Sequence, residues 1–228
     1  MNNRYFCKDN QKTGMKYKCI IFDFDGTLAD TTAGIVSAFQ GTFVEMGLPV
    51  PSVEKIKSTI GLALKEGFKA AMETLSDEQA DHAVETYRRI FYASGIQAIT
   101  AYPGITYALS RLKETGYDLV IATSRGHRSL GLICDNLGIT NFFSGQYCSD
   151  DVVNHKPAPD IVNLILKEKN LSRSEVLVVG DAHYDMLMGK AAGCKVCGVT
   201  WGNQSREQLQ SVGPDHIIDD IKELFEII

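Results

Sequence analysis

The chain has 228 residues, enough for one sizeable core and a smaller second unit. Apolar residues make up 44% of it and the formal net charge is −5, the profile of a globular chain without the basic excess of a general nucleic-acid binder. No apolar run reaches the length that spans a bilayer.

Residues 1–16 are polar, lack the apolar stretch of a signal peptide, and are expected to be an N-terminal extension, with Met15 as an alternative start. The first strand is expected over Lys18–Phe24, where the apolar run Cys19-Ile20-Ile21-Phe22 leads into Asp23-Phe24-Asp25-Gly26-Thr27. A buried strand ending in two carboxylates and a glycine turn puts negative charge at the carboxyl edge of a sheet, where open α/β sheets bind ligands. Like charges one residue apart repel, and a divalent cation is the simplest compensation. An all-oxygen site with few dedicated ligands suits Mg²⁺.

Residues 31–101 show helical periodicity and no convincing buried strand. Ile35, Ala38, Phe39, Phe43 and Met46 mark one helix, stopped by Gly47-Leu48-Pro49, and Val84, Tyr87, Ile90 and Phe91 mark another. This interval is expected to be a helical cap, with hinges near Ala29–Thr31 and Ala101–Gly104. Strand and helix then alternate: helix Ile105–Thr115, strand Asp118–Thr123, helix Ser129–Leu137, helix Ala158–Lys169, strand Glu175–Gly180, helix Met186–Ala192, strand Cys194–Thr200 and a short strand His216–Ile218. Alternation of this kind predicts an α/β fold with a Rossmann-like, doubly wound parallel sheet over residues 17–30 and 102–228.

Six cysteines are present, several inside apolar runs where a free thiol behaves as a small hydrophobe. Cys194 and Cys197 have zinc or redox spacing, but no second pair completes a zinc site. They are expected to be structural, with a reducing cytoplasm as the compartment.

Four chemistry-bearing pieces fall at expected strand ends or in the loops that follow. They are Asp23 with Asp25, Thr123-Ser124, Lys156 in His155-Lys156-Pro157-Ala158-Pro159-Asp160, and Gly180-Asp181 with Asp185. Singly, each has an ordinary reading as a cap, a loop lysine or a surface acid; together, at one sheet edge, they read as a site. In this order they resemble the motifs of the haloacid dehalogenase-like hydrolase superfamily, and the resemblance covers nearly the whole chain from Tyr17. The helical interval is similar to that family's small α-helical cap. Gly198-Val199-Thr200-Trp201-Gly202 adds a likeness to the phosphoglycolate phosphatase-like subgroup.

That resemblance implies a Mg²⁺-dependent phosphomonoester hydrolase acting on a small phosphorylated metabolite through an aspartyl-phosphate. Asp23 would be the nucleophile and Asp25 the acid and base. The metal would sit on Asp23, the Asp25 backbone carbonyl and Asp181. Thr123 and the amides near Gly26 would hold phosphoryl oxygens, with Thr27 and Ser124 beside them. Lys156 would neutralise the transferring group, and Asp185 would support the metal waters or Lys156. An acid at Asp25 favours ester hydrolysis, because an alkoxide leaving group needs a proton. In the expected cap, Gly61 and Lys65 are candidate substrate contacts, as is Arg125 in the core. The Lys55/Lys57 and Arg88/Arg89 pairs read as solvated helix faces.

The alternatives are a β-phosphoglucomutase-like mutase, a nucleotidase or pyrophosphatase of the same family, a phospho-signalling receiver module, and a non-catalytic scaffold. The mutase reading is weakened because Asp181 and Asp185 stand four residues apart, whereas mutases carry adjacent acids. No nucleic-acid or membrane partner is expected, and the chain is expected to be a monomer or homodimer.

Overall fold

The computed structural model describes residues 15–93, 96 and 99–228. Most of the expected N-terminal extension, Cys7 included, lies outside the described residues. The chain opens with β1 (Cys19–Phe22) and the two-residue β2 (Ala29–Asp30). Four helices follow: α1 (Thr32–Glu45), α2 (Val53–Lys57), α3 (Leu64–Ala71) and α4 (Asp77–Ala93). Then come β3 (Thr100–Ala101), α5 (Ile105–Thr115), β4 (Asp118–Ala122), α6 (His127–Leu137), β5 (Gly145–Tyr147) and α7 (Asp160–Glu168). The chain ends with β6 (Val176–Gly180), α8 (His183–Ala191), β7 (Lys195–Val199), α9 (Arg206–Gln210), β8 (His216–Ile218) and α10 (Leu224–Ile227).

Six strands form one parallel sheet in the order β5-β4-β1-β6-β7-β8. Alternate residues of β1 enter opposite layers. Ile20 and Phe22 join the core with α5 and α6, through residues such as Leu109, Leu112 and Ile133. Cys19 and Ile21 join the core with α7 and α8, through Val162, Ile165 and Met186. Burial on both faces is why the strands read as continuous apolar runs. The chain moves outward from β1 through β4 to β5, then returns to the other side of β1 with β6. The carboxyl ends of β1, β4 and β6 therefore meet at a topological switch point, the place where such sheets bind ligands.

The helical interval has its own aromatic core. Phe39 stacks on Phe68 with centroids 4.2 Å apart, Tyr87 meets Phe39 edge-on at 5.3 Å, and Phe91 stacks on Tyr87 at 5.5 Å. Helix α1 ends one turn before Leu48, where Gly47 takes a positive φ of 66°.

Seven elements were not marked in the sequence reading: the short helices α2, α3, α9 and α10 and the strands β2, β3 and β5. The interval is bounded by a small antiparallel ribbon, Ala29 opposite Ala101 and Asp30 opposite Thr100, which two-residue strands do not signal by periodicity. Gly145–Tyr147 is an edge strand of only three half-buried residues, lacking an apolar run to mark it. Of the two candidate contacts in the helical interval, Gly61 precedes α3 and Lys65 lies in its first turn. Cys194 and Cys197 are buried in opposite layers of the sheet, so their spacing serves packing. No helix among the described residues is long and apolar enough to cross a membrane.

Candidate active site

Asp23 is the first residue after β1, Thr123 the first after β4, and Asp181 the first after β6. Lys156 arrives from the loop between β5 and α7, and Asp185 from the first turn of α8. The Lys156 ammonium donates to Asp23 Oδ1 at 2.6 Å and to Asp185 Oδ1 at 2.7 Å, and all three side chains are buried. The other Asp185 oxygen accepts the Ala182 N–H at 3.1 Å. Asp181 Oδ2 accepts the Asn203 backbone N–H at 2.6 Å and its side-chain amide at 2.9 Å.

Carboxylate oxygens of Asp23, Asp181 and Asp185 all lie within 4.8 Å of one another. Burial, and then the neighbouring Asp185 charge, raises Asp23 well above the ordinary carboxylate range. The same causes push Asp181 up to about 7, against the opposing hydrogen bonds from Asn203. Lys156 moves upward because Asp185 and Asp23 outweigh its own desolvation. Three buried acids face one ammonium, and this all-oxygen, charge-deficient pocket fits a hard divalent cation.

Gly26 lets the first loop close on this cluster. Its φ is +83°, and a Cβ there would stand 2.1 Å from Asp181 Oδ2. The Thr27 hydroxyl donates to Asp181 Oδ1 at 3.4 Å. The Asp25 carboxylate does not join the three acids. It is gripped by Arg125, whose Nε lies 2.8 and 2.7 Å from its two oxygens and whose Nη2 lies 2.6 Å from Oδ1. The Thr31 hydroxyl donates to the same Oδ1. The Arg125 side chain is 8% exposed, with its guanidinium 4.9 Å from the Phe91 ring centroid. The Thr123 hydroxyl accepts the Arg125 N–H at 3.2 Å.

A cavity of about 870 Å³ opens over these residues, with Asp23, Asp25, Thr123 and Arg125 on its floor and Ile60, Gly61, Leu62 and Lys65 opposite. Ser124 Oγ donates to the Gly61 carbonyl at 2.6 Å, joining the core to the helical interval. Gly61 has φ +105°, and a Cβ there would press on the Tyr184 ring at 3.1 Å. Lys65 also faces the cavity but pairs with Asp81 of α4 at 2.7 Å. Arg88 and Arg89 are exposed, as expected of a solvated helix face; both border the cavity, and Arg89 pairs with Glu45.

Two residues of the site were missed in the sequence reading. Asn203 anchors Asp181, and its only signal is its position just past β7 at the same sheet edge. Thr31 holds Asp25, and the sequence reading had it only as one end of the expected hinge Ala29–Thr31.

A family model described as haloacid dehalogenase-like hydrolase matches residues 20–199, most of the chain and all of these residues but Asn203. The chain belongs to the haloacid dehalogenase-like hydrolase family. A protein named "Probable phosphatase IndB" from Dickeya dadantii is 33% identical over 90% of each chain. Pyrophosphatase PpaX from Oceanobacillus iheyensis is 31% identical over 94% of this chain and 98% of its own. A phosphoglycolate phosphatase from Vibrio parahaemolyticus is 28% identical over 95% and 98%. Among solved structures, a haloacid dehalogenase-like family hydrolase from Streptococcus pneumoniae superposes with a TM-score of 0.82 at 30% identity, over 93% of this chain and 98% of that one. The doubly wound sheet and the buried carboxylate floor are thus this chain's version of a hydrolase fold.

Proposed function

We propose that this HAD-like phosphatase is a Mg²⁺-dependent phosphomonoesterase working through an aspartyl-phosphate on Asp23. The observation that carries the proposal is the Lys156 ammonium between Asp23 and Asp185, buried at the switch point with Asp181 alongside. Asp23, Asp181 and the Asp25 backbone carbonyl would hold the metal, with Asp185 behind. When bound, Mg²⁺ supplies positive charge that lets a carboxylate and a phosphoryl group approach.

A phosphoryl group lying over Asp23 faces the Thr123 hydroxyl and the amides around Gly26. Asp23 attacks phosphorus, and the ester P–O bond breaks as Asp25 passes its proton to the leaving oxygen. Water then attacks phosphorus, Asp25 takes the water's proton, and inorganic phosphate leaves a regenerated Asp23. Lys156 holds Asp23 in place and offsets charge on the transferring group. Arg125 and Thr31 orient Asp25. The ribbon at Ala29–Asp30 and Thr100–Ala101 is the natural hinge for a helical cap, and the Ser124–Gly61 bond is the contact that opening would break.

The substrate class is a small phosphorylated metabolite of the phosphoglycolate kind. A pyrophosphatase is the second reading, supported by the 31% identity to the Oceanobacillus protein. Phosphate release from a panel including phosphoglycolate, sugar phosphates, nucleoside monophosphates and pyrophosphate, with and without Mg²⁺, tests both. Metal-dependent release that disappears in Asp23→Asn is expected. Absence of release from every compound overturns the proposal.

A further inference from the structure

Away from the carboxylate floor, a second group of side chains is composed like a ligand set. His127 opens α6, while Cys148 and Asp151 bracket the short 3₁₀ turn Ser149–Asp151 after β5. One ligand atom from each, a ring nitrogen, a sulfur and a carboxylate oxygen, all lie within 4.8 Å of one another. His127 Nε2 is 2.9 Å from Asp151 Oδ1. The other oxygen, Oδ2, accepts the Cys148 N–H at 2.8 Å, which aims Oδ1 at the ring.

The two segments carrying these residues are tied together beforehand. Asp150 Oδ2 accepts the His127 N–H at 3.0 Å. The Ser149 N–H and hydroxyl both donate to the Arg125 carbonyl, at 3.0 and 3.2 Å. An ion would therefore meet ligands already in place. The Cys148 side chain is fully buried, whereas His127 is half exposed, so the group opens to solvent on the imidazole side.

A histidine–aspartate pair alone is an ordinary surface contact. The sulfur as third member changes the chemistry, because a mixed nitrogen, sulfur and oxygen set suits Zn²⁺, while the all-oxygen floor suits Mg²⁺. The geometry points to a second metal site, in which His127 Nε2, Cys148 Sγ and an Asp151 carboxylate oxygen hold Zn²⁺ with water in the fourth position. On binding, the Cys148 thiol releases its proton to solvent as the Zn–S bond forms, the neutral imidazole gives its lone pair, and no electron changes hands. The site lies two residues past Arg125, and Gly126, Ser149 and Asp150 also line the catalytic cavity.

The test uses the full-length, metal-free protein titrated with Co²⁺ and then Zn²⁺. The wild type is expected to develop a thiolate-to-cobalt charge-transfer absorption that Zn²⁺ abolishes, at one equivalent. Asp23→Asn should keep this band, because oxygen ligands give none. His127→Ala, which leaves the buried thiol in place, should weaken metal binding more than ~100-fold. Zinc should raise the melting temperature of the wild type and not of His127→Ala. Absence of the charge-transfer band, or a band unchanged in His127→Ala, overturns the proposal.

Discussion

The two sides of the cavity over Asp23 are built by different physics. The core side is made of buried charge: Lys156 bonds Asp23 and Asp185 at 2.6 and 2.7 Å, Asn203 holds Asp181 at 2.6 and 2.9 Å, and the four charged side chains have almost no solvent access. The helical side is held by aromatic packing of Phe39, Phe68, Tyr87 and Phe91, and its charges, such as Lys65 with Asp81, stay at the surface. Charge removed from the core side leaves an uncompensated buried partner, while charge removed from the helical side is replaced by water. The carboxylate floor therefore tolerates little change in charge, and the helical side tolerates much.

The sharpest way to break this contrast is Asp23→Asn. It should lower phosphate release at least ~10³-fold while the protein stays folded, since the amide keeps the shape but not the nucleophile. Activity within tenfold of wild type would end the nucleophile assignment.

Lys156→Met comes next. It leaves Asp23 and Asp185 facing each other without a cation, and urea unfolding should show a loss of ~3–5 kcal/mol together with lost activity. If Mg²⁺ binds the floor as proposed, the metal should restore part of that stability, and the same titration measures it.

On the helical side, Phe68→Ala removes a fully buried ring and should cost ~3–4 kcal/mol in denaturant unfolding. Lys65→Ala is the counterpart of Lys156→Met, and its unfolding midpoint should match the wild type. A large loss there would erase the distinction between the two sides.

The smallest effect concerns the buried thiols. Burial pushes Cys19, Cys134, Cys148 and Cys197 up to about 12 and Cys194 up to about 11. Each folded value lies above the ordinary 9.0, so the fold favours the neutral thiol, and stability declines as pH climbs above about 9. In native protein at mildly alkaline pH, mass-spectrometric mapping should find these five cysteines unalkylated until the chain is unfolded.

Much of the fold was legible because its signals are local. The apolar runs Cys19–Phe22, Leu119–Ala122 and Val176–Gly180 are fully buried in strands, and helix Ile105–Thr115 occupies the residues its periodicity marks. Local chemistry also pointed to Asp23, Asp25, Thr123, Lys156, Asp181 and Asp185 as one group, because each follows a strand or sits in the loop or helix turn beyond it. The strands Ala29–Asp30, Thr100–Ala101 and Gly145–Tyr147 were not legible, since pairing partners rather than side-chain pattern create them, whereas the three-residue strand His216–Ile218 stands where the sequence marked it.

What the sequence determined alone is therefore the order of the long strands and helices of the core and the identity of the acids at one edge. Only the tertiary structure decided which of those acids meet. It set Asp25 against Arg125 and Thr31, apart from the other three, and brought in Asn203 to hold Asp181 from 22 residues away. It also placed His127, Cys148 and Asp151 together across two loops. The physical reason is that periodicity and propensity act over a few residues, whereas a hydrogen bond or an electrostatic pairing depends on distances that only the packed sheet and its return crossings define.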